Sequence, residues 1–275
     1  MENKGQINLI SVVVPVYNEV DSLREMCGNI QTALKKSAYD FEIILVDDGS
    51  RDGSYPVEQE LAAKNPEISL IRFNRNLGKA AALNEGFAVA KGDFVATIDA
   101  DLQDDPEAIP QMADFIKGSD FDLISGWKQD RKDRFIKKHT SKIYNFFSRL
   151  MTGVKLHDMN NGLKVYKAEV VKSITVYGEM HRFIPCFAAW LGVKVTEIPV
   201  NHRPRIHGQA KYGLSRVPRV IFDLLVVRFF SDYMTRPIQF FGKIARKLSF
   251  IGLIALLFLT GLDIFTPLEI SAGEM

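Results

Sequence analysis

Residues 94–106, Phe-Val-Ala-Thr-Ile-Asp-Ala-Asp-Leu-Gln-Asp-Asp-Pro, run from strand-forming residues into a set of carboxylates. Phe94 to Ile98 read as a buried strand, and Asp99, Asp101 and Gln103 follow at a spacing of two. Alternate side chains of a strand share a face. The three are therefore expected to offer oxygen ligands to one hard divalent cation, Mg2+ or Mn2+. Beside a diphosphate, such a cation bridges oxygens and takes up charge on a leaving group. The same residues also suit a solvated turn closed by an Asx cap. The surrounding chain has to decide between the two.

Upstream, Ile7 to Val16 is nearly continuous apolar sequence, as a central parallel strand requires, and it stops at Pro15-Val16-Tyr17-Asn18-Glu19. A helix is expected over 21–36, capped by Asp21 or Ser22. Phe41 to Val46 forms a second strand that ends in Asp47-Asp48-Gly49-Ser50, followed by a helix over 55–64. Ile68 to Phe73 is a third strand, Asn74 to Lys79 a loop, and Ala80 to Ala90 an Ala-rich helix able to lie close on a sheet. Strand and helix thus alternate four times before residue 106. That is the pattern of a doubly wound α/β sheet, which binds ligands outside the carboxyl ends of its strands. Those ends carry Tyr17 and Glu19, Asp47 and Asp48, Asn74 to Asn76, and Asp99 and Asp101, so the site reading gains over the solvated turn. A dehydrogenase would place Gly-x-Gly-x-x-Gly after the first strand. Here that position holds Pro-Val-Tyr-Asn-Glu.

Composition bounds the partners. The net charge of +2 hides an asymmetry, because acidic residues crowd the first 130 positions while Arg and Lys dominate from Lys128 to Lys247. A basic second half fits a phosphate-bearing partner or an anionic membrane. Cys27 and Cys186 form no metal or redox spacing and are expected to be reduced core thiols. The polar N-terminus runs straight into a strand without a signal-peptide core.

The Val-Pro-Val-Tyr-Asn-Glu opening, Val-Asp-Asp-Gly-Ser, Asn-Leu-Gly-Lys-Ala and Asp-Ala-Asp-Leu-Gln-Asp-Asp-Pro together resemble family 2 inverting glycosyltransferases of GT-A fold. The last motif is similar to the form in polyprenyl-phosphate glycosyltransferases, the group of dolichyl-phosphate mannose synthase and the bactoprenol glucosyltransferases. The resemblance spans about residues 7 to 265. It implies a Rossmann-like, mostly parallel sheet, and a nucleotide sugar held by Pro15, Tyr17, Glu19, Val46, Asp48, Asp99 and Ala100. It also implies Mg2+ or Mn2+ on Asp99, Asp101 and Gln103. The charged run from Lys128 to Ser141 reads by itself as a solvated face. By the resemblance, its Lys128, Lys137 and Ser141 bind an acceptor lipid phosphate. Arg205 and Lys211 match a mobile Arg…Gly-x-Ser-Lys-Tyr loop, with Ala210 at the Ser position, and would close over the diphosphate. Asp101, Arg205 and Lys211 are the implied catalytic residues. The Asp158–Lys164 segment corresponds to a loop beside the donor sugar.

Three regions are expected: a GT-A domain over 1–213, amphipathic juxtamembrane helices over 214–245, and a transmembrane segment and tail over 246–275. Leu248 to Leu262 is an uncharged apolar run of 15 residues. As a helix it measures about 22 Å, short of the roughly 30 Å hydrocarbon core unless it continues past Asp263 to Thr266. Lys243, Arg246 and Lys247 on its N-terminal side would keep the catalytic domain cytoplasmic. The expected activity moves a hexose from a UDP- or GDP-sugar to a polyprenyl phosphate, with inversion. A family 2 enzyme acting on a sugar hydroxyl, or a non-catalytic membrane-bound nucleotide-sugar binder, stays open. No nucleic-acid partner is expected, and a homo-oligomer is compatible with the chain.

Overall fold

The computed structural model describes residues 8–129, 154, 156–203, 229 and 236–265. Seven strands form one sheet in the order β3-β2-β1-β4-β6-β5-β7. They are β1 (Leu9–Val16), β2 (Asp40–Asp47), β3 (Ile68–Arg72), β4 (Phe94–Thr97), β5 (Leu123–Trp127), β6 (Lys164–Lys167) and β7 (Val195–Pro199). The first four are parallel, as the strand-helix alternation predicts, and β5 is parallel to β7. β6 runs antiparallel to both β4 and β5 and joins the two halves. The sequence reading placed only a loop there. A four-residue strand with a lysine at its first position carries too little periodicity to be seen.

β1 is buried on both faces, which is why its apolar residues do not alternate with polar ones. Ile10, Val12, Val14 and Val16 pack with α1 (Leu23–Lys35) and α4 (Ala108–Lys117). Val13 points the other way, to Ile44, Val46 and α3 (Lys79–Val89). There α3 lies so close that a Cβ on Gly86 would sit 2.3 Å from Val13 Cγ1. The remaining helices are α2 (Ser54–Lys64), α5 (Ala168–Ser173), a 3-10 turn (Gly178–Phe183), α6 (Ile184–Trp190) and α7 (Pro237–Phe265).

Two local expectations change. Ser22 is the residue before α1 but does not cap it, because its backbone is already helical and its hydroxyl donates to the Glu19 carbonyl at 3.0 Å. β4 ends at Thr97, two residues short of Asp99, so strand alternation is not what arranges Asp99, Asp101 and Gln103. Instead the chain turns, with Leu102 at φ 60° and its side chain buried in the core. Burial of Leu102 holds a conformation that branched and bulky residues avoid.

The chain divides into two compact units, Met1–Val227 and Arg228–Met275. In the second, α7 is 29 residues long and continuous across residue 245. It gains its added length mainly on the N-terminal side of the apolar run. The stretch Pro237–Gly261 has mean hydropathy 1.7 over its best window and none of that window is buried. By length and composition this helix is long and apolar enough to cross a bilayer, with Lys243, Arg246 and Lys247 towards its N-terminal end.

Candidate active site

The carboxyl ends of β1, β2 and β4 converge where strand order reverses between β1 and β4, the crevice position of open α/β sheets. The β1–α1 loop is fixed there by the β2–α2 loop. The Asn18 N–H donates to Ser50 Oγ at 3.0 Å, the Glu19 N–H to Ser54 Oγ at 3.0 Å and the Val20 N–H to Asp52 Oδ2 at 3.1 Å. Asn18 takes φ 55°, a region asparagine tolerates, and accepts from the Arg51 N–H at 2.8 Å. This turn presents Tyr17 at 38% exposure. Pro15 faces Val46 across the parallel ladder, and the Val46 side chain is fully buried.

Asp48 is committed to the protein. It accepts from the Leu77 N–H at 2.6 Å and the Gly78 N–H at 3.0 Å, tying the β3–α3 loop to β2. Burial raises its pKa, and those two N–H groups hold the rise back. Gly49 beside it has φ 70°, and a Cβ there would lie 2.6 Å from the Arg75 carbonyl carbon. Only glycine lets the two loops meet.

Asp99 is the centre of the crevice. Lys79, the first residue of α3, pairs with it, and the two side chains remain 30% and 36% exposed. Gly162 closes the other side, where a Cβ would come within 2.6 Å of the Asp99 carboxylate. The Thr97 hydroxyl donates to the Gly162 carbonyl at 2.8 Å. Asn161 holds the same turn by donating to the Gly126 carbonyl at 2.6 Å and accepting from the Leu163 N–H at 3.1 Å. Lys164 is buried and donates to the Asn161 carbonyl.

Burial alone would raise the Asp99 pKa. Lys79, supported at longer range by Lys128 and Lys164, outweighs it and keeps the carboxyl below its ordinary range. Burial and the nearby Lys79 push Lys164 down to about 8. His181, on the 3-10 turn, lines the same pocket, and burial with Lys79 and Arg182 nearby lowers it to about 3. It is a neutral imidazole at physiological pH.

Ala100 is buried after Asp99, and Asp101 Oδ1 accepts from the Gln103 N–H at 3.2 Å. The Asx-type turn is thus present, and it coexists with a carboxylate at the crevice. The segment beyond is strapped to the residues after β7. The Arg203 N–H donates to the Gln103 carbonyl at 2.9 Å, Asp104 bridges His202, and Arg203 pairs with Asp105 at 3.2 Å. Lys128, at the end of β5, pairs with buried Asp104 at 2.7 Å. Burial disfavours the Lys128 charge, but Asp104 more than restores it and raises the pKa. Lys137, Ser141, Arg205 and Lys211 lie outside the described residues.

Among the described residues, no three His, Cys, Asp or Glu side chains converge as a metal cage. Asp99, Asp101 and Gln103 supply hard oxygen donors on one turn. One or two carboxylates completed by substrate phosphates is the usual provision for Mg2+, so the donor set fits. The residues that sequence reasoning missed are Lys79, Gly162, Lys164 and His181. Lys79 stood in a quoted motif, Asn-Leu-Gly-Lys-Ala, without a role. Gly162 and Lys164 stood in the segment that the resemblance places beside the donor sugar, without individual roles, and nothing local assigned His181 to the site.

Similarity to known proteins agrees with this geometry. The model for Glycosyl transferase family 2 matches residues 11–175. The chain is 39% identical over 260 residues to a dodecaprenyl-phosphate galacturonate synthase from Rhizobium johnstonii, covering 93% of this chain and 77% of that protein. It is 37% identical over 270 residues to an undecaprenyl-phosphate 4-deoxy-4-formamido-L-arabinose transferase from Pseudomonas fluorescens, covering 97% and 76%. Among solved structures, mannosyl-3-phosphoglycerate synthase from Rubrobacter xylanophilus shares the fold at TM-score 0.62 and 17% identity, over 81% of this chain and 74% of that one. Glucosyl-3-phosphoglycerate synthase from Mycobacterium tuberculosis, solved with Mn2+, UDP-glucose and glycerol 3-phosphate, does so at TM-score 0.58 and 18% identity, over 82% and 80%. The chain belongs to glycosyl transferase family 2, on the GT-A fold, and groups with its polyprenyl-phosphate glycosyltransferases.

Proposed function

We propose that the chain moves a hexose or related sugar from a UDP- or GDP-sugar to a polyprenyl phosphate with inversion, giving a lipid-phosphate-linked sugar. The observation that carries this reading is the Asp99 crevice at the ends of β1, β2 and β4. Through Gln103 and Arg203 it is tied to the segment that leads, two residues later, to Arg205. The names of the two relatives, both polyprenyl-phosphate sugar synthases or transferases, support the acceptor class.

On the donor side, Tyr17 offers an exposed ring for a flat base, within a frame set by Pro15, Glu19, Val46, Asp48 and Ala100. Val46 and Asp48 act through that frame, since one is in the core and the other is bonded to the β3–α3 loop. Asp99, Asp101 and Gln103 would hold Mg2+ or Mn2+, which when bound supplies Lewis-acid charge to the departing diphosphate. Arg205 and Lys211 bring cations to the same leaving group. On the acceptor side, Lys137 and Ser141 bind the lipid phosphate, and Lys128 adds charge from its place beside Asp104.

An acceptor phosphate oxygen bonds to the anomeric carbon from the face opposite the leaving group. The bond from that carbon to the diphosphate breaks, and its electron pair leaves with the nucleoside diphosphate. A phosphate is already anionic at neutral pH, so positioning replaces a general base. A hydroxyl acceptor would need such a base, and Asp158, the carboxylate in the loop beside the crevice, is only 2% exposed. The helix α7 is the membrane anchor, with Lys243, Arg246 and Lys247 holding the catalytic unit on the cytoplasmic side.

The test is transfer of labelled sugar from UDP- and GDP-sugars to polyprenyl phosphate in membranes holding the full chain. Asp101→Ala should lower lipid labelling by roughly a hundredfold or more, and chelation should lower it in the unmodified enzyme. No lipid labelling by the unmodified enzyme from any UDP- or GDP-sugar would reject the reading, and full labelling in both perturbed experiments would reject the metal role of Asp101.

A further inference from the structure

The Lys79–Asp99 pair occupies a carboxylate that the proposed donor site needs for its cation. We infer that Lys79 is a tethered counter-ion, which holds Asp99 while the site is empty and yields it when a nucleoside diphosphate brings the divalent cation in. This inference rests on the reading that Asp99 is a metal ligand of the donor site.

Three features support it. The pair is built into the fold, because Lys79 starts α3 and the Gly162 backbone stands hard against the far side of the carboxylate. It is open to exchange, since both side chains remain about a third exposed. Further cations stand near it, for Lys128, itself paired with Asp104, and buried Lys164 both act on Asp99 at longer range. A bare divalent cation entering alone must displace one ammonium and meet the repulsion of Lys164 nearby. A diphosphate reverses that balance, because it supplies ligand oxygens to the cation and gives the released ammonium a new anionic partner. A lysine suits the exchange. Its ammonium is a point charge on a flexible stem, whereas a guanidinium would grip the carboxylate with two parallel bonds. Cation and nucleotide are therefore coupled, and the coupling is reciprocal by linkage.

The experiment measures Mn2+ binding to the full chain in detergent by paramagnetic resonance, with Mn2+ alone and with UDP or GDP. Binding of labelled UDP and GDP is measured separately by dialysis without metal. The unmodified chain should bind Mn2+ weakly alone and at least about fivefold more tightly with the nucleotide it accepts. Lys79→Met should tighten binding of Mn2+ alone by about fivefold, the scale of breaking one partly exposed ion pair, and shrink the gain from nucleotide. Lys79→Arg should keep Mn2+ alone at or below the unmodified affinity. Equal Mn2+ affinity with and without a nucleotide that dialysis shows to be bound would overturn the inference. So would a Lys79→Met chain that binds Mn2+ alone no better than the original. Equal Mn2+ affinity on the unmodified chain overturns the inference even where the variant fails to fold. Failure of both nucleotides to bind, with Mn2+ present as well as without it, would instead overturn the donor-site reading itself.

Discussion

At the scale of single residues, the crevice depends on contacts that tolerate almost no change. Gly162 is the sharpest case, because any side chain there collides with the Asp99 carboxylate. Gly162→Ala should cost about 1–3 kcal/mol through overpacking and should lower transfer activity more than thermal stability alone accounts for. An unchanged melting temperature and rate would show that the β6 turn gives way freely. A second residue lies away from the crevice. Glu58, on α2, is fully buried, and among the described residues neither carboxylate oxygen has a hydrogen-bond partner. Burial, with Asp47 and Asp52 nearby, raises its pKa to about 8, against the pull of Arg72. The folded state thus binds a proton that the unfolded chain releases at lower pH. The penalty starts above the unfolded pKa, grows as pH rises and is complete above about 8. Glu58→Gln should accordingly be more stable than the original by about 4 kcal/mol at pH 8, with the gap closing towards pH 4. Denaturant titrations at several pH values would show this, and a gap independent of pH would contradict it.

At the scale of elements, one loop holds another. The turn carrying Tyr17 and Glu19 has its backbone N–H groups satisfied by Ser50, Asp52 and Ser54 of the β2–α2 loop. Removing Ser54 leaves the Glu19 N–H without its acceptor, at about 1 kcal/mol or more. Ser54→Ala is therefore expected to weaken nucleotide binding several-fold in equilibrium dialysis while leaving Mn2+ affinity without nucleotide unchanged. A loss of both would place the loop in the metal site. The parallel half of the sheet was legible because β1 and β2 are long apolar runs and each of the first four strands ends in a cluster of polar turn residues. β6 was not. Its four residues are held by pairing to β4 and β5, distant in sequence, and no local propensity marks them.

At the scale of the whole molecule, the chain divides into a unit that carries the crevice and a second that contains α7, whose apolar composition is that of a membrane-crossing helix. Deleting residues 236–275 should make the chain extractable from membranes by alkaline carbonate, whereas the full chain should stay in the pellet. Retention of the shortened chain would assign membrane attachment to residues before 236. The sequence by itself determined the α/β class, the four parallel strands, the crevice at their ends and the apolar C-terminal helix. Each of these is written in local periodicity and in residues placed at strand ends. Only the tertiary structure decided how the crevice is wired. It showed that Asp99 lies beyond the end of β4 rather than on it, and that Lys79 faces it from the start of α3. It also showed that Gly162, in the turn before the antiparallel strand β6, and Lys164, its first residue, arrive about sixty residues downstream. The physical reason is that pairing of charges and close approach of backbones are properties of distance in space. The carboxylates of residues 99–101 could be read as candidate ligands, but the cation already standing on one of them could not.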